Sequence, residues 1–205
     1  MDVKKAKELH CHQFSCRFGK EDPYDVVCNK AGTMYELLQT CDRFKEKASK
    51  NQGKDLVILT SHKRAISMHF PCHKMTEIGT ETLVIRYISA GRNQTTSTSS
   101  KDKKEYRIEM VIFEVKTTGE TNILTKVMNN LGLRKLADEV TVYGYKGQTV
   151  REVLEQDGRF SDEVLQSNYS LQDTKNGIRT EMSTYADYLD GRCFKITRGH
   201  RLKTQ

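Results

Sequence analysis

The sequence predicts an α+β protein of two similar halves, each with one short helix among several strands. Three observations support this prediction. A fifteen-residue segment occurs twice in the 205-residue chain, and strand-like runs surround both copies in the same order. Between the halves, residues 90–105 (AGRNQTTSTSSKDKKE) contain no large apolar side chain. Such a stretch is typical of a linker, because it cannot bury enough apolar surface to offset its ordering entropy.

The repeated segment predicts the start of a helix in each half. KAGTMYELLQTCDRF at 30–44 aligns without a gap with KGQTVREVLEQDGRF at 146–160, at an offset of 116. In both copies a Thr is followed three residues later by a Glu, which is the capping-box pattern. We therefore expect one short amphipathic helix to begin at Thr33 and another to begin at Thr149.

The extent of these helices is indicated by the residues after the caps. Leu37, Cys41 and Phe44 have the spacing of one helix face, which predicts that the first helix continues through Phe44. The second helix is expected to end near Asp157-Gly158, because glycine favours the left-handed conformation that closes many helices.

Strand-like runs flank both predicted helices. They are rich in β-branched and aromatic residues, or they alternate between apolar and polar positions. The predicted strands are 11–18, 24–28, 55–60, 65–70 and 82–89 in the first half, and 106–115, 140–145, 169–172, 178–182 and 193–197 in the second. Residues 121–136 are compatible with either an extra helix or an irregular crossover.

The order strand, strand, helix, strand, strand, strand within about 100 residues is typical of the β-grasp arrangement, in which one helix packs across a mixed sheet. Ubiquitin is the best-known example. The sequence thus predicts two tandem ubiquitin-like β-grasp domains, at 8–90 and 105–199, joined by a flexible linker at 91–104.

Composition restricts the class of protein. No apolar run approaches the roughly 20 residues that span a bilayer, so no membrane segment is expected. The start, MDVKKAKELHCHQ, lacks the apolar core of a signal peptide. These features predict a protein of the nucleus and/or cytoplasm with its six cysteines reduced.

One part of the second half resembles a known family. VTVYGYKGQTVREVLEQDGRF at 140–160, followed by LDGRCF at 189–194, resembles the second ubiquitin-like domain of the family-with-sequence-similarity-111 serine proteases. The first half, with FPC at 70–72 and a strand at 83–89, resembles the first such domain more loosely. The resemblance implies tandem ubiquitin-like domains ahead of a trypsin-like protease domain. It also implies a role in the nucleus, near replicating chromatin and in restriction of DNA viruses.

The chain departs from the family pattern after these two domains. It ends at Gln205 without a Gly-x-Ser-Gly-type nucleophile segment, so no catalytic residue is carried over. We therefore expect a non-enzymatic interaction or regulatory module. The resemblance implies an antiviral or chromatin-associated adaptor, or the regulatory region of a trypsin-like protease. Its expected partners are proteins bound through β-grasp surfaces and edges, and self-association is equally consistent.

A second hypothesis is a module that binds single-stranded DNA or another single-stranded nucleic acid. The 34 Lys and Arg exceed the 27 Asp and Glu, which gives a net charge of +7. A solvated basic surface explains this excess more simply, whereas phosphate binding would weaken steeply with salt. The candidate phosphate-binding residues are Lys101, Lys103, Lys104, Arg107, Arg192, Lys195, Arg198 and Arg201.

No metal, cofactor, small-molecule substrate or catalytic residue is predicted. His10, His12 and Cys16 would share one face of a strand, but zinc needs a fourth ligand, which would have to come from elsewhere in the chain, such as Cys72 or His73. Cys72 and His73 are adjacent, and neighbours on an extended chain point to opposite sides. They are therefore not expected to act as a nucleophile and its base.

Overall fold

A computed structural model describes residues 12–29, 31–79, 82–91, 109–119, 127–166 and 169–198, with α+β architecture and one large mixed sheet. The described strands are β1 (His12–Phe18), β2 (Tyr24–Cys28), β3 (Lys54–Leu59), β4 (Arg64–Ile66), β5 (Thr82–Ser89), β6 (Met110–Lys116), β7 (Glu139–Tyr145), β8 (Tyr169–Asp173), β9 (Arg179–Glu181) and β10 (Cys193–Arg198). The described helices are α1 (Met34–Leu38), α2 (Asp42–Ser49), α3 (Met75–Ile78), α4 (Leu131–Leu136), α5 (Val150–Asp157) and α6 (Asp162–Gln166).

The two halves of the sheet have the same strand order and the same strand directions. The full order is β2-β1-β5-β3-β4-β7-β6-β10-β8-β9. In the first half, β1 pairs antiparallel with β2 and parallel with β5, while β3 pairs antiparallel with β5 and β4. In the second half, β6, β7, β8, β9 and β10 take the places of β1, β2, β3, β4 and β5.

Both predicted helix starts are confirmed. The hydroxyl of Thr33 accepts the backbone N–H of Glu36 at 3.2 Å, and that of Thr149 accepts the N–H of Glu152 at 3.3 Å. In each case the glutamate side chain accepts the N–H of its capping threonine in return. The end of α5 is also as predicted, because Gly158 has a φ of 74°.

The first helix, in contrast, is not continuous through Phe44. It ends at Leu38, and a second helix, α2, begins at Asp42. The hydroxyl of Thr40 donates to the carbonyl of Leu37 at 2.7 Å, so a side chain satisfies one of the terminal carbonyls. Phe44 is nevertheless fully buried, on α2.

One further segment differs from the sequence prediction, and one open alternative is decided. The strand predicted at 65–70 ends at Ile66, because Ser67 starts a turn in which its carbonyl accepts the N–H of Phe70 at 3.1 Å. For 121–136, where a helix and a crossover were both compatible with the sequence, the described part contains the short helix α4, which Asn130 caps by accepting the N–H of Gly132 at 2.8 Å. Within the described residues, no helix is long and apolar enough to cross a membrane.

The two cores lie on opposite faces of the sheet. Ala65 and Ile66 are neighbours on β4 and therefore point to opposite faces. Ile66 belongs to the core under α1 and α2, whereas Ala65 belongs to the core under α5. The helices of the first half consequently cover one face of the sheet, and α5 covers the other face.

The second core extends into the first half. Leu133 of α4 is buried in it together with Val57 and Leu59 of β3, and α4 also packs against β5. The two halves therefore share buried apolar surface as well as a sheet.

Candidate interaction surfaces

The halves meet at β4 and β7. These strands pair in parallel, with Ala65 opposite Val140 and Ile66 opposite Thr141. Just before β7, the N–H of Asp138 donates to the carbonyl of Lys63 at 2.9 Å. We call this pairing and the side chains that span it the junction.

Arg159 bonds to both sides of the junction. Its Nη1 donates to the carbonyl of Ala65 on β4 at 3.1 Å, and its Nη2 donates to the carbonyl of Thr141 on β7 at 2.6 Å. Asp157 orients the guanidinium through bonds of 2.7 Å from Nε to Oδ1 and 2.6 Å from Nη2 to Oδ2. The Asp157 side chain is 1% exposed, so this ion pair is shielded from water.

The matching arginine of the repeat has a different role. Arg43 donates to Glu21 at 3.0 Å, with both side chains 39% exposed, and its guanidinium lies 5.2 Å from the centre of the Tyr24 ring. The same position of the repeat therefore carries a surface ion pair in the first half and a junction contact in the second half.

A second polar contact spans the junction at the end of β5. The side chain of Asn130 donates to Asp55 Oδ2 at 2.5 Å and to the carbonyl of Ser89 at 2.8 Å, and the N–H of Gly91 also donates to Asp55. A cavity of about 60 Å³ is lined by Asp55, Gly91, Asn130 and Arg159, among others. That volume suits a few water molecules, whereas drug-sized ligands occupy roughly 300 Å³ or more.

One face of the second half carries no helix among the described residues. It is the face opposite α5, and we call it the open face. Its strand residues alternate with those of the second core. They are Met110, Ile112, Glu114 and Lys116 of β6, Glu139, Thr141, Tyr143 and Tyr145 of β7, and Cys193, Lys195 and Thr197 of β10.

A charge network crosses the open face to the first half. Arg64 Nη1 lies 3.1 Å from Glu114 Oε1, and Lys116 Nζ lies 2.6 Å from Glu139 Oε1. Burial raises the pKa of Glu114 above its ordinary value. Burial acts in the same direction on Glu139, but the hydrogen bond from Lys116 and the positive charges of Lys116 and Arg64 lower its pKa overall.

Tyr143 anchors a turn of the first half to the open face. Its hydroxyl donates to the carbonyl of His69 at 3.0 Å, and its ring packs edge-on against Phe70 with 5.6 Å between ring centres. Burial raises the pKa of Tyr143 to about 12, so the hydroxyl remains a donor at neutral pH. This aromatic contact fixes the first half against the second.

The outermost strands form the two edges of the described sheet. Among the described strands, β2 pairs with β1 alone and β9 pairs with β8 alone. Apolar side chains lie exposed beside both edges: Val27 on β2 is 49% exposed, and Ile178, just before β9, is 59% exposed. Such edges can accept an extended segment of another chain.

Exposed tyrosines form a further surface that the sequence analysis did not find. Tyr185 and Tyr188 are 59% and 81% exposed. Their loop is fixed by its aspartates, because Asp187 accepts the N–H of Gly147 at 2.8 Å and Asp190 accepts the N–H of Ile112 at 2.7 Å. Solvent-facing tyrosines on a fixed loop are typical of protein contacts.

The structure describes three of the eight predicted basic residues. Arg192 is bound to Asp173, with 2.6 Å between Nε and Oδ2, and its guanidinium lies over the Phe194 ring. Lys195 and Arg198 lie on opposite faces of β10. The other five, Lys101, Lys103, Lys104, Arg107 and Arg201, are outside the described residues. Phosphate binding by this set stays a prediction.

The cysteines considered as ligands or nucleophiles occupy the first half. Cys16 is buried, and burial, with Cys41 nearby, raises its pKa to about 12. His10 and Cys11 lie outside the described residues, as does the side chain of His12. Cys72 is also buried, and its sulfur lies 2.8 Å from that of Cys28.

The fold and these surfaces define an α+β protein with a large mixed sheet. The chain matches the family described as FAM111, N-terminal domain, over residues 6–197, which confirms the resemblance predicted from the sequence. It belongs to this family. Serine protease FAM111A of Mus musculus is 21% identical over 179 residues, which are 86% of this chain and 28% of that protein. The chain thus spans less than a third of the relative.

Proposed function

We propose that this chain is a non-catalytic interaction and regulatory module made of two ubiquitin-like β-grasp units. The observation that carries the proposal is the match to the family's N-terminal domain, because the relative is named as a serine protease and the chain aligns with only part of it. The strand order that both halves share supports the β-grasp interpretation.

The proposed domains keep the boundaries expected from the sequence, at 8–90 and 105–199, with a linker at 91–104. The junction supports a function in which the two units act together. A shared sheet, a shared core and the Arg159 bonds all hold them in one orientation. A partner would accordingly meet a fixed arrangement of both units.

Recognition would use the sheet edges and the exposed tyrosines. A strand added to β2 or β9 gains main-chain hydrogen bonds, and Val27 or Ile178 would provide apolar contact beside it. By resemblance, the partner is a protease-type relative, a chromatin or replication component, or a viral factor. The module would then act as an antiviral or chromatin-associated adaptor, or regulate a trypsin-like protease, in the nucleus and/or cytoplasm.

The test is capture of partners from nuclear extract by the purified chain, with and without nuclease and at two salt concentrations. Val27→Lys and Ile178→Lys place a charge beside each edge and should reduce capture at the edge that is used. Leu131→Lys, at another exposed apolar position, is the matched control. Loss of every partner upon nuclease treatment would contradict a protein-binding function.

The alternative function is binding of single-stranded nucleic acid, favoured by the net charge of +7. It is tested with a fluorescent oligo-dT titrated at several salt concentrations. If Lys195 and Arg198 contact phosphates, each alanine variant should reduce the magnitude of the salt slope by about 0.7. Equal slopes for both variants and the wild-type chain would exclude these two residues.

A further inference from the structure

Two thiols of the first half are positioned for bond formation. Cys28 ends β2 and Cys72 follows Pro71 in a 3-10 turn, and their sulfurs are 2.8 Å apart. Both residues are buried, with at most 1% of either exposed. A disulfide bond is about 2.05 Å long, so an approach of less than about 1 Å would join them.

In the second half, the positions that match Cys28 and Cys72 carry no sulfur. The repeat offset places Gly144 at the position of Cys28. Ala186 takes the position of Cys72, because its N–H donates to Gln148 at 2.8 Å just as that of Cys72 donates to Gly32. A Cβ at Gly144 would lie 2.4 Å from Val153, so the valine side chain occupies the space that a side chain at position 144 would need. The thiol pair is therefore particular to the first half.

A pocket lies beside the thiol pair. Cys72 lines a pocket of about 250 Å³ at the start of α1, together with Ala31, Gly32, Thr33, Glu36 and Leu37. A small oxidant fits in this volume. Contact between two buried thiols and a pocket beside one of them are independent observations that point to the same chemistry.

We propose that Cys28 and Cys72 are a modification site, at which a peroxide converts the two thiols into an intramolecular disulfide. One thiolate attacks a peroxide oxygen, which yields a sulfenic acid and releases hydroxide. The second thiolate attacks the sulfenic sulfur, forms the S–S bond and expels another hydroxide. With the two thiol protons, the balance is one hydrogen peroxide consumed and two waters formed.

The disulfide would tie an outer strand to the segment that touches the second half. Cys72 follows closely after His69 and Phe70, which contact Tyr143 on the open face. Cys28 ends β2, the edge strand proposed to receive a partner. Burial, with Cys28 close by, raises the pKa of Cys72 to about 12, so the thiol form predominates at neutral pH and the reaction should be slow.

The test uses the purified full chain treated with hydrogen peroxide or with a reductant. Remaining thiols are blocked with N-ethylmaleimide in denaturant, and the chain is digested without reduction. We expect a peptide linked through Cys28 and Cys72 that dithiothreitol separates. Since the bond would join residues 44 apart, we also expect the thermal midpoint to rise by roughly 5 °C.

Variants separate this pair from the other cysteines. Cys72→Ala, which copies the second half, should abolish the linked peptide and the thermal shift, and Cys193→Ala should retain both. The mass analysis of the wild-type chain decides the question even if a variant folds poorly. Recovery of Cys28 and Cys72 as separate blocked thiols after peroxide treatment, or linked to Cys16 or Cys41 instead, would overturn the proposal.

Discussion

Asp157 and Arg159 form an ion pair beside the junction, with 2.6 Å between Oδ2 and Nη2. The carboxylate is almost fully buried, and the guanidinium of Arg159 is its counter-ion. The same guanidinium donates to a carbonyl of β4 and to a carbonyl of β7. The pair therefore links the stability of the second half to its attachment to the first.

Arg159→Ala should destabilise the protein by about 3 kcal/mol, since it leaves the buried carboxylate of Asp157 without its counter-ion. Urea unfolding followed by circular dichroism measures the loss. Arg43→Ala is the matched control, because the repeat places it at the same position with an exposed ion pair. A similar loss for both variants would show that the junction contributes nothing specific.

Gly144→Ala should destabilise the second half by roughly 2 kcal/mol, because the added methyl group would lie 2.4 Å from Val153. The conformation of Gly144 is not the obstacle, since its φ is not among the positive values found in the chain. Combining Gly144→Ala with Val153→Ala should cost less than the sum of the two single changes. Additive losses in chemical unfolding would rule out this steric explanation.

Asp173 should make stability depend on acid. Burial opposes its ionisation, but the N–H groups of Lys175 and Asn176 and the guanidinium of Arg192 outweigh burial and lower its pKa. A carboxylate with a lowered pKa stabilises the fold above its unfolded pKa of about 3.9 and loses this effect as the pH falls through the folded pKa.

Asp173→Asn should accordingly lower the free energy of unfolding at pH 7, and the difference from wild type should shrink in acid below about pH 4. Arg192→Ala should raise the pKa of Asp173, which a carboxyl NMR titration measures directly. A difference between Asp173→Asn and wild type that stays constant from neutral pH to acid would argue against this assignment.

Cleavage of the chain between the halves should leave them associated. The linker predicted at 91–104 is polar and rich in Thr and Ser, which makes it a candidate site for limited proteolysis. The junction and the shared core should then hold the two fragments in one particle during size-exclusion chromatography. Arg159→Ala should promote their separation, whereas fragments of the wild-type chain that elute apart would refute a stable junction.

Local features of the fold were accessible from the sequence because they have local causes. The starts of α1 and α5 depend on a threonine and a glutamate three residues apart, and the structure has both bonds of each capping box. Apart from the strand predicted at 65–70, which ends at Ile66, the strands were expected close to their observed positions, since alternation and β-branched residues mark them directly. The break after Leu38 was missed because Phe44 is buried on α2, as it would also be if the first helix were continuous.

The junction could not be predicted in this way. Ala65 pairs with Val140 across a large sequence separation, and parallel pairing of two edge strands leaves no periodic signal in either. The role of Arg159 could not be predicted either. Arg43 is identical in the repeat and suggests the same role for both, whereas Arg43 binds Glu21 and Arg159 binds a carbonyl across the junction.

The sequence predicted that sheet surfaces and edges would bind partners, but not which residues form them. Sheet edges follow from the fold class, but the exposure of Tyr185 and Tyr188 depends on how Asp187 and Asp190 fix their loop. The contact between Cys28 and Cys72 brings together residues 44 apart and likewise requires the folded chain.

The helices of the first half end beside the open face of the second half. Phe70 and Tyr143 lie in the corner where the layer formed by α1 and α2 meets the open face. A ligand bound in that corner would contact both halves, so its affinity would depend on their relative orientation. A strand added at β2 or β9 would contact only one half, so its affinity would not depend on the relative orientation of the two halves.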